Sequence, residues 1–350
     1  MPDTPTPAVT ISAIAAEAGV SAPTVSRVLN GRGDVAPATR ERIESLLRAR
    51  GYRRRGSKAG EAVGARPEAR VGLLDLVFND LDSPWAVEII RGVEDAAHGT
   101  GGGIVVSAIH RRASSARQWL DNVRSRASDG AILVTTDLDS ALRAELEELH
   151  VPSVVVDPVG VPDLAVPTIG CTNWAGGLSA TNHLTGLGHR RIGFVAGRPE
   201  LWSSRARLDG YRAGLETAGL SVDDRLVMQG EFDYESGFRA GERLFALPDP
   251  PTAVFGASDQ MTLGVYEALR RRGLRVPADV SVVGFDDLPE ARWSSPPLTT
   301  VRQPLAEMGR LAVRTVHRLM RGEAIESPRI ELATELVVRD STAPPPSASD

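Results

Sequence analysis

Two periodicities divide this chain. Ile11, Ile14, Ala15 and Ala18 repeat at helical spacing, with Thr10 placed to cap that helix and Gly19 to stop it. Ser21 can cap a second short helix, whose Val25, Val28 and Leu29 form a buried stripe ending near Asn30 and Gly31. Pro37 opens a third, with Ile43, Leu46 and Leu47 on its apolar side and Gly51 closing it. From Val71 the pattern changes to short apolar runs, such as 71–78, 104–109, 131–134, 192–196 and 280–285, alternating with helical stretches. That order predicts a parallel sheet covered by helices. Roughly 270 residues are more than one such sheet needs, so two lobes are expected, with the chain crossing around Gly170 to Trp174.

Two short helices joined by a glycine-containing turn make a helix-turn-helix, in which the second helix enters the DNA major groove and its first residues face base edges. Ala22, Pro23 and Arg27 hold those positions. Arg27 offers a bidentate fork to guanine, whereas Thr10, Ser21, Thr24, Ser26 and Asn30 suit phosphate oxygens. In the body, ligands of α/β sheets bind outside the carboxyl ends of the strands. Asn79, Asp82, Ser83 and Trp85 follow the first apolar run, and Asp157, Trp202, Arg205, Arg207, Ser258 and Asp286 follow later ones. Carboxylates and guanidinium groups give directed bonds to hydroxyls, and aromatic rings stack on the apolar face of a sugar, so this set fits a neutral polyol.

Composition sharpens the division. Hydrophobic residues at 42% and charged residues at 24% describe an ordinary globular protein, and no apolar run is long enough for a bilayer span. The net charge of −5 argues against nucleic acid until it is split by position. Residues 1–60 carry ten Arg or Lys against five Asp or Glu, a basic head on an acidic body. Arg53, Arg54, Arg55 and Lys58 add positive charge suited to phosphate contact. The opening residues lack the pattern of a secretory signal and Cys171 has no partner for a disulfide, which together point to a reducing cytoplasm.

The segments Val9-Thr10-Ile11, Ala18-Gly19-Val20-Ser21 and Thr24-Val25-Ser26-Arg27-Val28-Leu29-Asn30 resemble the lactose-repressor (LacI/GalR) family. The likeness continues through Gly188-His189-Arg190-Arg191-Ile192, Arg207-Leu208-Asp209-Gly210-Tyr211, Ser258-Asp259-Gln260 and Val282-Val283-Gly284-Phe285-Asp286-Asp287, almost to Arg339. It implies a small all-α helix-turn-helix head on a two-lobed α/β body like a periplasmic sugar-binding protein. By position it implies that Arg207 and Asp286 bind effector, that Asp157 is a pocket acid, and that Phe232 is a stacking aromatic. It further implies a homodimer on double-stranded operator DNA, regulated by a sugar-like effector, with no cofactor and no membrane. The sequence departs from the family at Ala22-Pro23, where larger polar side chains are usual, and across 53–64, which lacks the leucine that wedges into the minor groove.

The expected organisation is a DNA-binding domain over 1–52, a hinge over 53–69, an effector-binding and dimerisation domain over 70–340, and a disordered tail over 341–350. Two other classes share parts of this pattern. An enzyme on the same scaffold would need a motif that is absent, since there is no GxGxxG, no GxxxxGK[ST] and no nucleophile elbow around Ser258. A sugar receptor feeding a transporter would share the body but carry a secretion signal in place of a basic head.

Overall fold

The computed structural model describes residues 10–29, 35–50, 72–110, 112–134, 140–160 and 166–346. They fall into two compact units, Met1–Arg70 and Val71–Asp350. In the first, α1 (Ile11–Ala18), α2 (Ala22–Leu29) and α3 (Pro37–Ala49) share one core. Ile14, Ala18, Val25, Val28, Ile43 and Leu47 fill it. Local chemistry sets the ends of α1. The Thr10 hydroxyl accepts from the Ala13 amide at 3.2 Å, and Gly19 stops the helix in the left-handed region at φ 65°, which glycine adopts without a Cβ penalty. Glu17 and Arg50 then pair at 2.9 Å, tying α1 to the end of α3.

The second unit is built on two six-stranded sheets. The first lobe contains β1 (Leu73–Phe78), α4 (Pro84–Gly99), β2 (Gly103–Ala108), α5 (Ala113–Arg126), β3 (Gly130–Val134), α6 (Ser140–Glu148), β4 (Ser153–Val156) and β5 (Thr168–Cys171). The second contains α7 (Asn173–Gly186), β6 (Ile192–Ala196), α8 (Trp202–Thr217), β7 (Val227–Gln229), α9 (Tyr234–Leu244), β8 (Ala253–Gly256), α10 (Asp259–Arg271), β9 (Ser281–Asp286), α11 (Pro289–Trp293) and β10 (Thr299–Arg302). The chain then returns to the first lobe, where α12 (Leu305–Met320) packs against α4 and β11 (Arg329–Leu332) joins β5. It finishes in the second with β12 (Glu335–Val337), antiparallel to β10.

The strand orders are β11-β5-β4-β3-β1-β2 and β12-β10-β9-β8-β6-β7, parallel throughout except at β12. Helices cover both faces, so the central strands are buried on both sides and are largely apolar. An exception is Asp75 in β1, fully buried, which accepts from Trp119 Nε1 at 3.3 Å and from Arg126 Nη2 at 2.6 Å. Three segments cross between the lobes, 171–173, 302–305 and 332–335, and side chains bind them together. The Cys171 thiol donates to Gln303 Oε1 at 3.0 Å, and the hydroxyls of Thr172 and Thr334 meet at 3.0 Å.

The tail expected to be disordered from residue 341 is packed at its start. Ser341 is fully buried; its hydroxyl donates to the Val282 carbonyl at 2.6 Å and accepts from the Thr299 amide at 2.8 Å. The Ala343 amide donates to Ser281 Oγ at 2.9 Å, and the His183 and His189 rings bond Thr342 and Ala343, each at 2.9 Å. Burial holds both imidazoles below the ordinary histidine range. Pro344 to Pro346 look like a composition for disorder, yet the preceding residues complete the second lobe. Residues 347–350 and the expected hinge over 53–69 lie outside the described residues.

Candidate functional site

Between the lobes lies a cavity of about 520 Å³, lined almost entirely by residues just beyond the carboxyl ends of strands. From the first lobe come Asn79, Asp80 and Asp82 after β1, His110 after β2 and Asp157 after β4. From the second come Arg198 and Ser203 after β6, Phe232 after β7, Ser258 after β8 and Asp286 at the end of β9. A hydrogen bond spans the gap, from the Ser83 hydroxyl at the start of α4 to Gln260 Oε1 at the start of α10, at 3.2 Å.

Arg207 and Asp286 form the floor, exposed by only 3% and 5%. Arg207 reaches it because Gly177 lets α7 and α8 approach closely; a Cβ there would lie 2.5 Å from the Arg207 carbonyl oxygen. The guanidinium is held on four sides. Nε donates to Asn173 Oδ1 at 2.8 Å, Nη1 donates to the Ala257 carbonyl at 2.6 Å, Asp286 Oδ1 lies 3.6 Å away, and the Phe285 ring centroid is 3.8 Å from Cζ. Asp286 also accepts from Gln303 Nε2 at 2.6 Å. Burial nevertheless outweighs the nearby guanidinium and this hydrogen bond, and Asp286 is pushed up to about 7. Because Gln303 holds the Cys171 thiol with its other end, the floor acid connects directly to two of the three crossings.

Backbone conformation marks the same place. His110, Asp157, Phe232 and Asp286 all have positive φ, at 50°, 50°, 67° and 127°, although none is glycine. Such strain persists where surrounding structure fixes it, and it clusters at ligand sites. Phe232 also needs room, which Gly197 provides, since any Cβ at that position would run into its ring.

Of the ten residues read from the sequence as effector-binding, eight line this cavity: Asn79, Asp82, Trp85, Asp157, Arg207, Phe232, Ser258 and Asp286. Trp202 and Arg205 do not. Helix α8 presents Ser203 and Arg207, four residues apart, to the cavity, so Trp202, one residue from that row, and Arg205, two residues from it, turn away. The Trp202 amide donates to the Val159 carbonyl at 2.8 Å, and its ring takes the guanidinium groups of Arg205 and Arg329, each at 5.7 Å. The sequence reading missed Asp80, His110, Arg198, Glu231 and Asp233, all of which also lie just beyond strand ends.

In the head, Pro23 and Arg27 are exposed on α2, while Thr24 and Ser26 are half-buried and Ala22 packs against the core. Ser21 Oγ lies 2.8 Å from Thr24 Oγ1 and accepts from the Thr24 amide at 3.4 Å, so these hydroxyls order the start of the helix. Asn30, Arg53 and Arg54 lie outside the described residues.

Residues 10–55 match the bacterial regulatory proteins of the lacI family, and residues 181–342 match a periplasmic binding protein-like domain. The HTH-type transcriptional repressor CytR of Escherichia coli strain K12 is 35% identical over 335 residues, covering 96% of this chain and 96% of the relative. The chain belongs to the LacI family. Two solved members have its architecture along their length. A complex of the transcriptional regulator CelR with cellobiose matches at TM-score 0.72 and 36% identity, covering 95% of this chain and 99% of that one. The lac repressor dimer bound to operator and the anti-inducer ONPF matches at TM-score 0.69 and 28% identity, covering 96% and 100%. LacI-family membership thus accounts for both units, a helix-turn-helix head and a two-lobed α/β body. Among the described residues, no helix is long and apolar enough to cross a membrane.

Proposed function

We propose that this LacI-family protein is a cytoplasmic, dimeric repressor of carbohydrate-use genes whose affinity for operator DNA changes when a sugar binds between its lobes. The observation that carries the reading is the junction of Arg207, Asp286, Asp157 and Phe232 at strand ends facing one interlobe cavity. A ligand there touches both lobes at once, so it binds one lobe arrangement better than another and shifts the population toward it. Two chains paired through their bodies present two recognition helices, and a change in lobe arrangement alters how both meet a pseudo-palindromic site. The CelR complex with cellobiose and the operator-bound lac repressor dimer support both halves of this scheme. The cavity binds its ligand without chemistry, because its buried acid and guanidinium are committed to each other and to backbone and amide partners.

Separate substitutions test the division of labour. Arg27→Ala is expected to weaken specific DNA binding by roughly 1–3 kcal/mol per half-site and leave sugar affinity unchanged. Arg207→Ala is expected to abolish the response to sugar and leave basal DNA affinity within twofold. Both are read by DNA-binding anisotropy and calorimetric sugar titration on the same preparations. Loss of both activities in either variant, with the fold intact by circular dichroism, would contradict the scheme.

A further inference from the structure

We infer that the cavity is built for an uncharged linear oligosaccharide of two or three rings, in preference to a monosaccharide or a sugar phosphate. The inference rests on the proposed sugar-binding role of the cavity and adds the length and charge of its ligand. Length follows from the strand order. Lining residues of the first lobe follow β4, β3, β1 and β2, four consecutive strands, and those of the second follow β9, β8, β6 and β7, again four consecutive strands. Three strand spacings make about 14 Å on each wall. A pyranose unit advances a chain by about 5 Å, some four single bonds in projection. One ring would therefore face little more than one strand spacing and leave the rest of the polar wall to water.

Volume agrees. At the packing density of protein interiors a pyranose unit takes up roughly 175 Å³, so the cavity of about 520 Å³ holds two to three. Burial gives the ligand a direction. At the end next to the lobe crossings the lining is buried, with Asp157, Arg207 and Asp286; at the edge strands it is exposed, with His110, Glu231 and Asp233. One terminal ring fits the closed end, and the other end of the chain points toward solvent. Between them Arg198, just beyond β6, presents a buried Nε with no hydrogen-bond partner, a donor that a ligand hydroxyl or ring oxygen can satisfy.

Charge restricts the ligand further. Asp80, Asp82, Asp157, Glu231 and Asp233 face the cavity against two guanidinium groups, Arg198 and Arg207. Ionised carboxylates only accept hydrogen bonds, which matches the many hydroxyl donors of a neutral saccharide. A phosphate or uronate would add negative charge to an existing excess, with Arg207 already committed to Asp286, Asn173 and Ala257.

The test is isothermal titration of the full-length protein with two series, xylose to xylotriose and glucose to cellotriose, together with glucose 6-phosphate. In the series that binds, the disaccharide is expected to bind at least tenfold more tightly than its monosaccharide, the trisaccharide within about threefold of the disaccharide, and glucose 6-phosphate not at all. A monosaccharide or the sugar phosphate binding as tightly as the disaccharides overturns the inference, as does no binding in either series. Oligosaccharide binding that leaves DNA affinity unchanged would instead contradict the regulatory reading and leave this one standing.

Discussion

At Asp286 the opposing forces of the site meet on one carboxyl group. Burial disfavours its charge, while Arg207 at 3.6 Å and the Gln303 amide at 2.6 Å favour it, and burial prevails. Its folded value, about 7, lies above the ordinary aspartate range, so the folded state holds a proton that the unfolded chain has already released. Stability from this group is therefore fully present near pH 4 and is lost as the pH rises through 7. Asp286→Asn removes the titration. Urea denaturation of both proteins from pH 4 to 8 should show the stability of wild type falling relative to the variant as the pH rises. Parallel curves would mean that Asp286 is ionised throughout. The sequence exposed Asp286 and Arg207 because each follows an apolar run, but it could not show that Gln303 and Cys171 lie behind them. The Cys171–Gln303 contact joins residues 132 positions apart, and Gln303 meets Asp286 only because β10 lies beside β9.

At the level of elements, long and strongly periodic segments were legible and short ones were not. The three helices of the head and most of the strand–helix alternation through β9 follow directly from spacing, whereas β5, α6, β7 and α9 do not. Strand β7 has only three residues, so the polar residues after it, Glu231 and Asp233, carried no strand-end signal. On α8 the miss was rotational: Trp202 is one residue and Arg205 two residues from the cavity-facing positions Ser203 and Arg207, and each residue turns a helical side chain by about 100°. The C-terminal segment shows the limit of composition most clearly, because proline-rich residues follow a serine that is fully buried. Deleting Ser341–Asp350 would leave the Thr299 amide and the Val282 carbonyl without their partner. A loss on the order of 3 kcal/mol is expected, measured by chemical denaturation, with sugar binding retained in the folded fraction. Unchanged stability after the deletion would show that this segment contributes nothing to the second lobe.

At the scale of the molecule, three crossings hydrogen-bonded to one another make a hinge, and the cavity floor is attached to it through Gln303. Ligand contact and lobe arrangement are thereby one physical event. The Ser83–Gln260 hydrogen bond across the cavity joins groups that both line the ligand site, so a ligand can replace or reinforce it. Charge extends the scheme to DNA. The basic first sixty residues predict binding that weakens steeply with salt, while the acidic body keeps the remaining surface from competing for phosphate. The central claim, that one chain couples sugar to DNA, is tested most directly by fluorescence anisotropy of the protein on its own upstream DNA at 50 and 200 mM salt, with and without the saccharide that titration identifies. The account predicts tight, salt-dependent binding whose affinity shifts at least fivefold when that saccharide is added, at both salt concentrations. Tight binding that no cavity ligand alters would contradict it.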